Sequence, residues 1–276
     1  MPHGAISYSL FGYNRESYKD CFDFKHYLRG LHFNIRVAPL IYPHYKVFVN
    51  LDEETYESPY KQLFEEHKDR GHLDFRVHSR GELCRNMLWR LFPVWDNYDR
   101  VLCRDTDSLI SPREAKCVRY WEANGRIAHS ITDSISHNVV LMGGMIGFAS
   151  KEFKETIKCE TFNNMMSMAR GYDFNKKGSD QDFLNREILP KIHQSLTEHH
   201  MLGLPNSFRS DWSNKVPDVD MGFPPGYDEL NYICFHIGAS GMREAALLKF
   251  LDEFGTDKEY FDKVEKKFDK LFYWKL

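Results

Sequence analysis

Arg100-Val101-Leu102-Cys103-Arg104-Asp105-Thr106-Asp107-Ser108 is the stretch on which the reading of this chain turns. It opens with a short apolar run, the pattern of a buried strand. Two carboxylates follow, two residues apart, where that strand ends. Placed there, they can reach one divalent cation and the ligand beside it. Hard cations such as Mg²⁺ or Mn²⁺ take oxygen ligands and often keep positions open for substrate phosphates. A D-x-D pair alone is commonly a solvated turn; its place behind a buried strand gives this one meaning.

Upstream, strand and helix signals alternate. Ala5 to Leu10 predicts a first strand ended by Gly12, and a helix is expected from about Glu16 to Leu28. Lys46 to Asn50 predicts a second strand, closed by Leu51-Asp52-Glu53. Ser58-Pro59 opens a helix to about Arg70, with Ser as cap and Pro in the first turn. Leu73 to Val77 predicts a third strand, Glu82 to Phe92 a helix, and Arg100 to Cys103 a fourth strand. This alternation predicts an α/β fold with a mainly parallel sheet flanked by helices. Ligands of such sheets bind beyond the carboxyl ends of the strands. That rule puts Ser9 to Gly12 (with Phe11), Asp52 and Arg104 to Ser108 on one rim.

Downstream, Ser111-Pro112-Arg113-Glu114 is a capping box that predicts a helix to about Asn124. Gly143-Gly144-Met145 predicts a turn into a strand, and Ser179-Asp180-Gln181-Asp182 a helix start with Ser179 and Asp182 as its cap. Pro205 to Tyr227 has the composition of a long loop. Tyr232 to Phe235 predicts a last short strand, directly followed by His236-Ile237-Gly238. From Lys258 to Leu276 the apolar residues Phe261, Val264, Phe268, Leu271 and Phe272 share one face among lysines. That segment is either a closing helix packed on the domain or a contact for a membrane surface or partner. The expected division is a catalytic domain over residues 1–255 and an amphipathic helix over 256–276.

Composition narrows the function classes. The chain has 276 residues, 42% hydrophobic and 28% charged, with a formal net charge of -3. A large α/β domain fits that length; a nucleic-acid binder would more often be clearly basic. No run reaches the roughly 18 apolar residues of a membrane helix. Met1-Pro2-His3-Gly4 is unlike a secretory leader, and no Asn-x-Ser/Thr sequon occurs. The six cysteines (Cys21, Cys84, Cys103, Cys117, Cys159, Cys234) form no C-x-x-C pair, and most of them are expected as buried thiols. The expected setting is the cytoplasm, soluble or peripherally membrane-associated; an excised lumenal catalytic domain would look the same. The absence of a P-loop, a G-x-G-x-x-G and an H-E-x-x-H leaves kinases, NAD enzymes and zinc peptidases unsupported.

Four pieces in order, Arg104-Asp105-Thr106-Asp107-Ser108, Gly143-Gly144-Met145-Ile146-Gly147, Asp180-Gln181-Asp182-Phe183-Leu184-Asn185 and His236-Ile237-Gly238, resemble the GT-A glycosyltransferases, particularly retaining galactosyltransferases of the LgtC and glycogenin type. The chain is also similar to glycosyltransferase-like proteins with an R-D-T-D-S-x-x-x-x-R-E signature, matched here by Arg104 to Ser108, Arg113 and Glu114. The resemblance covers roughly residues 5 to 240. It implies a Rossmann-like GT-A fold and a metal-dependent hexosyl- or pentosyltransferase. Such an enzyme moves a sugar from a nucleotide-sugar donor to a hydroxyl of a glycan or glycoconjugate acceptor.

By that resemblance Asp105, Asp107 and His236 hold Mn²⁺ or Mg²⁺, and Asp105 also contacts the donor ribose. Ser9 to Tyr13 and Asp52 hold base and ribose; Arg85 and Arg90 lie on a helix that binds donor phosphate or sugar. Gly143, Gly144, Asp180 and Gln181 line the sugar and acceptor side. If the reaction inverts, Asp133, Asp180 and Asp182 are the candidate bases; the resemblance tilts toward retention. The Lys-Pro-Trp usual after the late His motif is replaced by Ala239-Ser240-Gly241-Met242-Arg243, a departure that leaves the phosphate contact after His236 open, with Arg243 as the candidate to make it. Two other readings share parts of this pattern: a sugar-phosphate nucleotidyltransferase, disfavoured by the lack of a Gly-rich basic loop near the N-terminus, and a non-catalytic nucleotide-sugar-binding protein.

Overall fold

A computed structural model describes residues 4–13, 24–79, 81–108, 110, 112–132, 139–200 and 213–215. Its sheet starts with β1 (Gly4–Leu10), whose small and apolar residues are buried along nearly the whole strand. Burial on both faces is what a strand covered by helices on each side requires. α1 (Phe24–Ile41) returns the chain to β2 (Tyr45–Asp52), and α2 (Glu53–Tyr56) and α3 (Lys61–Asp69) lead to β3 (Leu73–His78). α4 (Leu83–Met87) tightens into a 3₁₀ stretch over Leu88–Trp95 before β4 (Arg100–Arg104). Then come α5 (Pro112–Asn124), β5 (Ala128–Thr132), β6 (Met145–Ala149), α6 (Ser150–Ile157) and α7 (Phe162–Ser167). α8 (Ser179–Phe183) passes through a π-helical stretch (Leu184–Ile188) into α9 (Leu189–Ile192), and β7 (Leu196–His200) and β8 (Ser213–Lys215) complete the described chain.

The strands form one eight-stranded sheet in the order β3-β2-β1-β4-β6-β5-β7-β8. β6 runs antiparallel to both of its neighbours, and every other pairing is parallel. The fold is thus a mixed, mainly parallel α/β sheet flanked by helices. Strand periodicity divides the core. Ile6, Tyr8, Leu10 and Leu102 pack with α1, α3 and α5. Ala5, Val101 and Cys103 point the other way, into the core under the 3₁₀ stretch and α6 to α9.

Several expected elements shift. The first helix extends to Ile41 rather than ending near Leu28. Ile35, Val37 and Pro39 disguise it, yet Leu31, Ile35 and Ala38 recur at helical spacing and are buried. The third helix starts at Lys61, not at Ser58-Pro59, because a separate short helix, capped by Asp52, precedes it. The helix expected to Phe92 changes to 3₁₀ geometry at Leu88, with Pro93 inside it. α8 is not capped by Ser179 with Asp182. Its N-cap is Gly178 at φ 87°, a left-handed conformation suited to glycine, and the Ser179 hydroxyl donates back to Lys176 O at 2.8 Å. β5 and β7 were not anticipated, and Ser213–Lys215, inside the expected loop, pairs with β7. The expected strand over Tyr232 to Phe235, His236 and the helix over 256–276 lie outside the described residues. Cys84, Cys103, Cys117 and Cys159 are buried free thiols, as expected. No helix among the described residues is long and apolar enough to cross a membrane.

Candidate functional site at the carboxyl ends of the strands

β4 delivers the D-x-D segment to the rim, and its neighbours hold the loop from both sides. Arg104, 1% exposed, donates from Nε to Glu114 Oε1 at 2.7 Å and from Nη1 to the Cys103 and Ile146 carbonyls, each at 2.8 Å. Glu114 also accepts from the Tyr42 hydroxyl at 3.0 Å. Burial opposes the charge on Arg104, but Glu114, with Tyr42 and Tyr8 adding, holds the guanidinium above its ordinary value. The signature Arg and Glu thus tie β4 to α5 from inside the core.

From α1, Asn34 closes the loop's backbone. Its Nδ2 donates to Thr106 O at 3.2 Å and Ser108 O at 3.0 Å, and its Oδ1 accepts from Ile110 N–H at 2.9 Å. One turn earlier on that face, Gly30 lets helix and loop meet: a Cβ there would overlap the Thr106 carbonyl. Neither residue was singled out from sequence. A lone Asn in an apolar helix is their one visible signal.

Asp105 sits at the rim with 39% of its side chain exposed. Arg90, from the 3₁₀ stretch, reaches it with Nη1. The same guanidinium lies 3.9 Å from Asp180 Oδ2, and Arg90 and Asp180 side chains are each 5% exposed. Burial pulls the Arg90 charge down, yet Asp105 and Asp180 together raise its pKa above the ordinary value. Burial pushes the Asp180 carboxyl above the usual range; Asp105 adds to the rise while Arg90 opposes it.

The two glycines complete the cluster. At Gly144 a Cβ would overlap the Asp105 carboxylate; at Gly143 it would stand 3.4 Å from Asp180 Oδ2 and 3.5 Å from Arg90 Cζ. Their loop is fixed by Asn185, which donates to Leu141 O at 2.9 Å and accepts from Leu141 N–H at 3.0 Å. Three of the four sequence motifs therefore meet around Arg90, and the last residue of the Asp180–Asn185 motif positions the glycine loop.

The expected nucleotide side is partly framework. Asp52 is fully buried; its oxygens accept from Gly12 N–H at 3.1 Å and Thr55 N–H at 2.9 Å. In the structure it caps α2 and latches the turn that Gly12 makes at φ 83°. Ser9 pairs with Asn50 in the sheet. Phe11 meets Trp89 edge to face at 5.9 Å, and Trp89 stacks on His78 at 4.5 Å. His78 Nε2 lies 2.8 Å from Asn50 Oδ1, and burial, with Arg76 adding, lowers its pKa to about 4. This aromatic wall at the ends of β1 to β3 includes His78, held by Asn50, neither of which the sequence reading assigned to the site.

The structure does not bring every expected residue into the cluster. Arg85 is exposed, 3.9 Å from Glu82. Asp182 is exposed two positions beyond Asp180 and so on another side of α8, and Gln181 is half-buried between them. Asp107 is buried beside Asp105 on the same loop. Asp133 and His236 lie outside the described residues. Among the described residues no three side chains gather as a metal site.

No protein-family model and no curated protein matches the chain. Solved structures similar to it include a candidate nucleotide-diphospho-sugar transferase from Desulfovibrio desulfuricans G20. That likeness has 12% identity and a TM-score of 0.45, covering 94% of this chain and 99% of that one. A 4-diphosphocytidyl-2C-methyl-D-erythritol synthase from Anaerococcus prevotii DSM 20548 shares 9% identity at a TM-score of 0.41, over 71% and 87%. A mannosyltransferase from Pyrobaculum calidifontis, in complex with GDP-Man and Mn²⁺, shares 11% identity at a TM-score of 0.43, over 80% of this chain and 59% of that one.

Proposed function

We propose that this chain is a metal-dependent glycosyltransferase that moves a hexosyl or pentosyl group from a nucleotide-sugar to a hydroxyl acceptor. The observation that carries the reading is the meeting of Asp105, Arg90, Asp180 and the Gly143-Gly144 turn at the carboxyl ends of the parallel strands, beside the clamped D-x-D loop. Asp105 and Asp107 fit as hard oxygen donors for Mn²⁺ or Mg²⁺, and His236 is proposed as the third ligand. A cation held there would supply positive charge against a departing diphosphate.

The protein's own groups do the positioning. Arg104, Glu114 and Asn34 fix the loop backbone, and Arg90 orients the Asp105 carboxylate. The glycines leave room for a sugar against Asp105 and Asp180. For an inverting displacement we assign Asp180 as the base, because it stands beside Asp105 and Arg90 in the cluster and a carboxylate held above its usual pKa is a better proton acceptor near neutral pH. The acceptor oxygen bonds to the anomeric carbon while the bond from that carbon to the diphosphate oxygen breaks. The nucleoside diphosphate leaves with the electron pair, and Asp180 takes the acceptor's proton.

Thermal unfolding against a panel of nucleotide-sugars, each with Mn²⁺ and with EDTA, tests the reading. A ligand bound only to the native state raises the midpoint by mass action. One nucleotide-sugar should stabilise the wild type with Mn²⁺ alone, and Asp107→Ala should abolish the shift. No shift from any nucleotide-sugar under either condition sinks it.

A further inference from the structure

A second group of titratable side chains lies away from the D-x-D rim. On α1, His32 and Arg36 stand four residues apart and share a face; on α3, Leu63, Glu66 and His67, with Arg70 at the C-cap, recur at spacings of three and four. With His72, in the turn into β3, they line a cavity of about 240 Å³. The His32 and His67 rings meet edge to face at 5.1 Å, and His67 Nδ1 lies 3.3 Å from His72 Nδ1. In that contact one Nδ1 donates and the other accepts, so the two rings carry opposite protonation at Nδ1.

The lining is unbalanced in charge. Among the described residues no carboxylate forms an ion pair with Arg36 or Arg70. Glu66, the one carboxylate on the wall, accepts from Gln62 at 2.9 Å. Burial, then Arg70, works against the charge on Arg36. Burial, then His67 and Arg36, lowers His32 to about 4; burial, then His72, Arg70 and Arg36, does the same to His67, with Glu66 opposing weakly. Two guanidiniums against a single carboxylate leave this concave site with net positive charge, and the His32 and His67 imidazoles line it as neutral hydrogen-bonding groups. Its volume is below the roughly 300–1,000 Å³ of pockets for drug-sized ligands, so it suits a small group. Guanidinium forks match tetrahedral oxyanions in both geometry and charge.

We propose that the cleft between α1 and α3 binds a phosphate group through Arg36 and Arg70, with His32, His67 and His72 completing the donor set. The site is distinct from the rim. α1 turns Gly30 and Asn34 to the D-x-D loop, whereas His32 and Arg36 face the cleft. Free phosphate and the phosphate of a sugar phosphate carry the same recognition chemistry, and separate arms of one experiment tell them apart.

The test is thermal unfolding of the full chain in EDTA, with orthophosphate, glucose 1-phosphate or chloride at matched ionic strength. With ligand about tenfold above its Kd, a midpoint rise of about 3 °C over chloride is expected in the wild type. A rise with orthophosphate identifies free phosphate as a ligand, and a rise with the ester alone identifies a phosphomonoester. Arg36→Gln/Arg70→Gln should lose the rise, and Asp107→Ala should keep it. Both arginines are at least partly exposed, so the double variant should fold. Histidine NMR gives a readout independent of stability: the His32 and His67 titrations should move to higher pH when phosphate is added. The proposal fails if neither phosphate shifts the wild type beyond chloride, or if the double variant responds as the wild type does.

Discussion

Arg90→Met keeps most of the side-chain volume and removes the charge between Asp105 and Asp180. Asp180 is then a buried carboxylate with Asp105 as its nearest charged neighbour. Removing one partner of a buried pair costs about 3–5 kcal/mol. Two features place this case at the low end: Asp105 is 39% exposed and can turn to water, and the Arg90–Asp180 contact is 3.9 Å long. About 1 kcal/mol moves the midpoint of a domain near this size by about 2–4 °C. The expected loss is therefore roughly 6–10 °C near neutral pH.

The pH dependence separates this cause from lost packing. An acid whose folded pKa lies above its unfolded value destabilises most when ionised, at high pH, and is relieved as pH falls through the folded pKa. Removing Arg90 takes away the one interaction that lowers Asp180 through an opposite charge. The gap between variant and wild type should narrow as pH drops from about 7.5 to about 5. Asp180→Asn in the Arg90→Met background should recover most of the loss. Scanning calorimetry of the four proteins of this cycle decides it. A gap under about 1 °C, or one that neither pH nor Asp180→Asn changes, refutes the reasoning.

Other perturbations test the rest of the site. Gly144→Ala drives a methyl into the Asp105 carboxylate and should abolish Mn²⁺-dependent donor binding in a calorimetric titration, whereas Gly143→Ala, with its nearest contact at 3.4 Å, should weaken it far less. Asn34→Ala removes three hydrogen bonds to the D-x-D loop. Urea unfolding should show a loss of about 2–4 kcal/mol with unchanged m. Burial lowers the pKa of His199 to about 3 and that of His129 well below its ordinary value. Because a histidine with a depressed folded pKa takes up its proton on unfolding, stability should fall as pH drops below about 6.5. His199 alone should contribute a loss of about 2 kcal/mol by about pH 5, and a pH series of melts that stays flat over this range contradicts it.

What was legible in the sequence was local. Asp105 and Asp107 announce themselves because strand, turn and carboxylates are contiguous, and Gly143-Gly144 and the Asp180 motif because short spacing carries their geometry. Arg90 was named, but its role was not legible: its partners lie 15 residues ahead and on a distant helix, and only the packed sheet brings them together. β5 and β7 escaped for a different reason. Ala-His-Ser-Ile-Thr and Leu-Thr-Glu-His-His resemble exposed segments, yet both strands are buried throughout. Trp121 stacks on His129 at 4.7 Å, and His129 meets His199 edge to face at 5.9 Å, so aromatic packing takes up rings that the pattern assigns to solvent.

The R-D-T-D-S-x-x-x-x-R-E pattern now divides by physical role. Arg104 and Glu114 never reach the rim; they neutralise each other inside the core, and Tyr42 from the end of the α1 connection completes the pair. An ion pair at that depth adds little net stability over apolar packing, but it fixes how β4 leaves the sheet relative to α5. Arg104 also spans to Ile146 on β6, so the same side chain registers β4 against the strand that begins beside Gly143-Gly144. One buried guanidinium thereby helps place both the loop bearing Asp105 and the turn that must clear it, alongside Asn34 and Asn185. Arg90 joins that arrangement from the opposite face of the sheet, where its own backbone carbonyl accepts from Cys103 Sγ at 3.4 Å. Gly144 lies so close to the Asp105 carboxylate that an added Cβ would overlap it, and an approach of that kind is held by buried, directional contacts rather than by apolar packing alone.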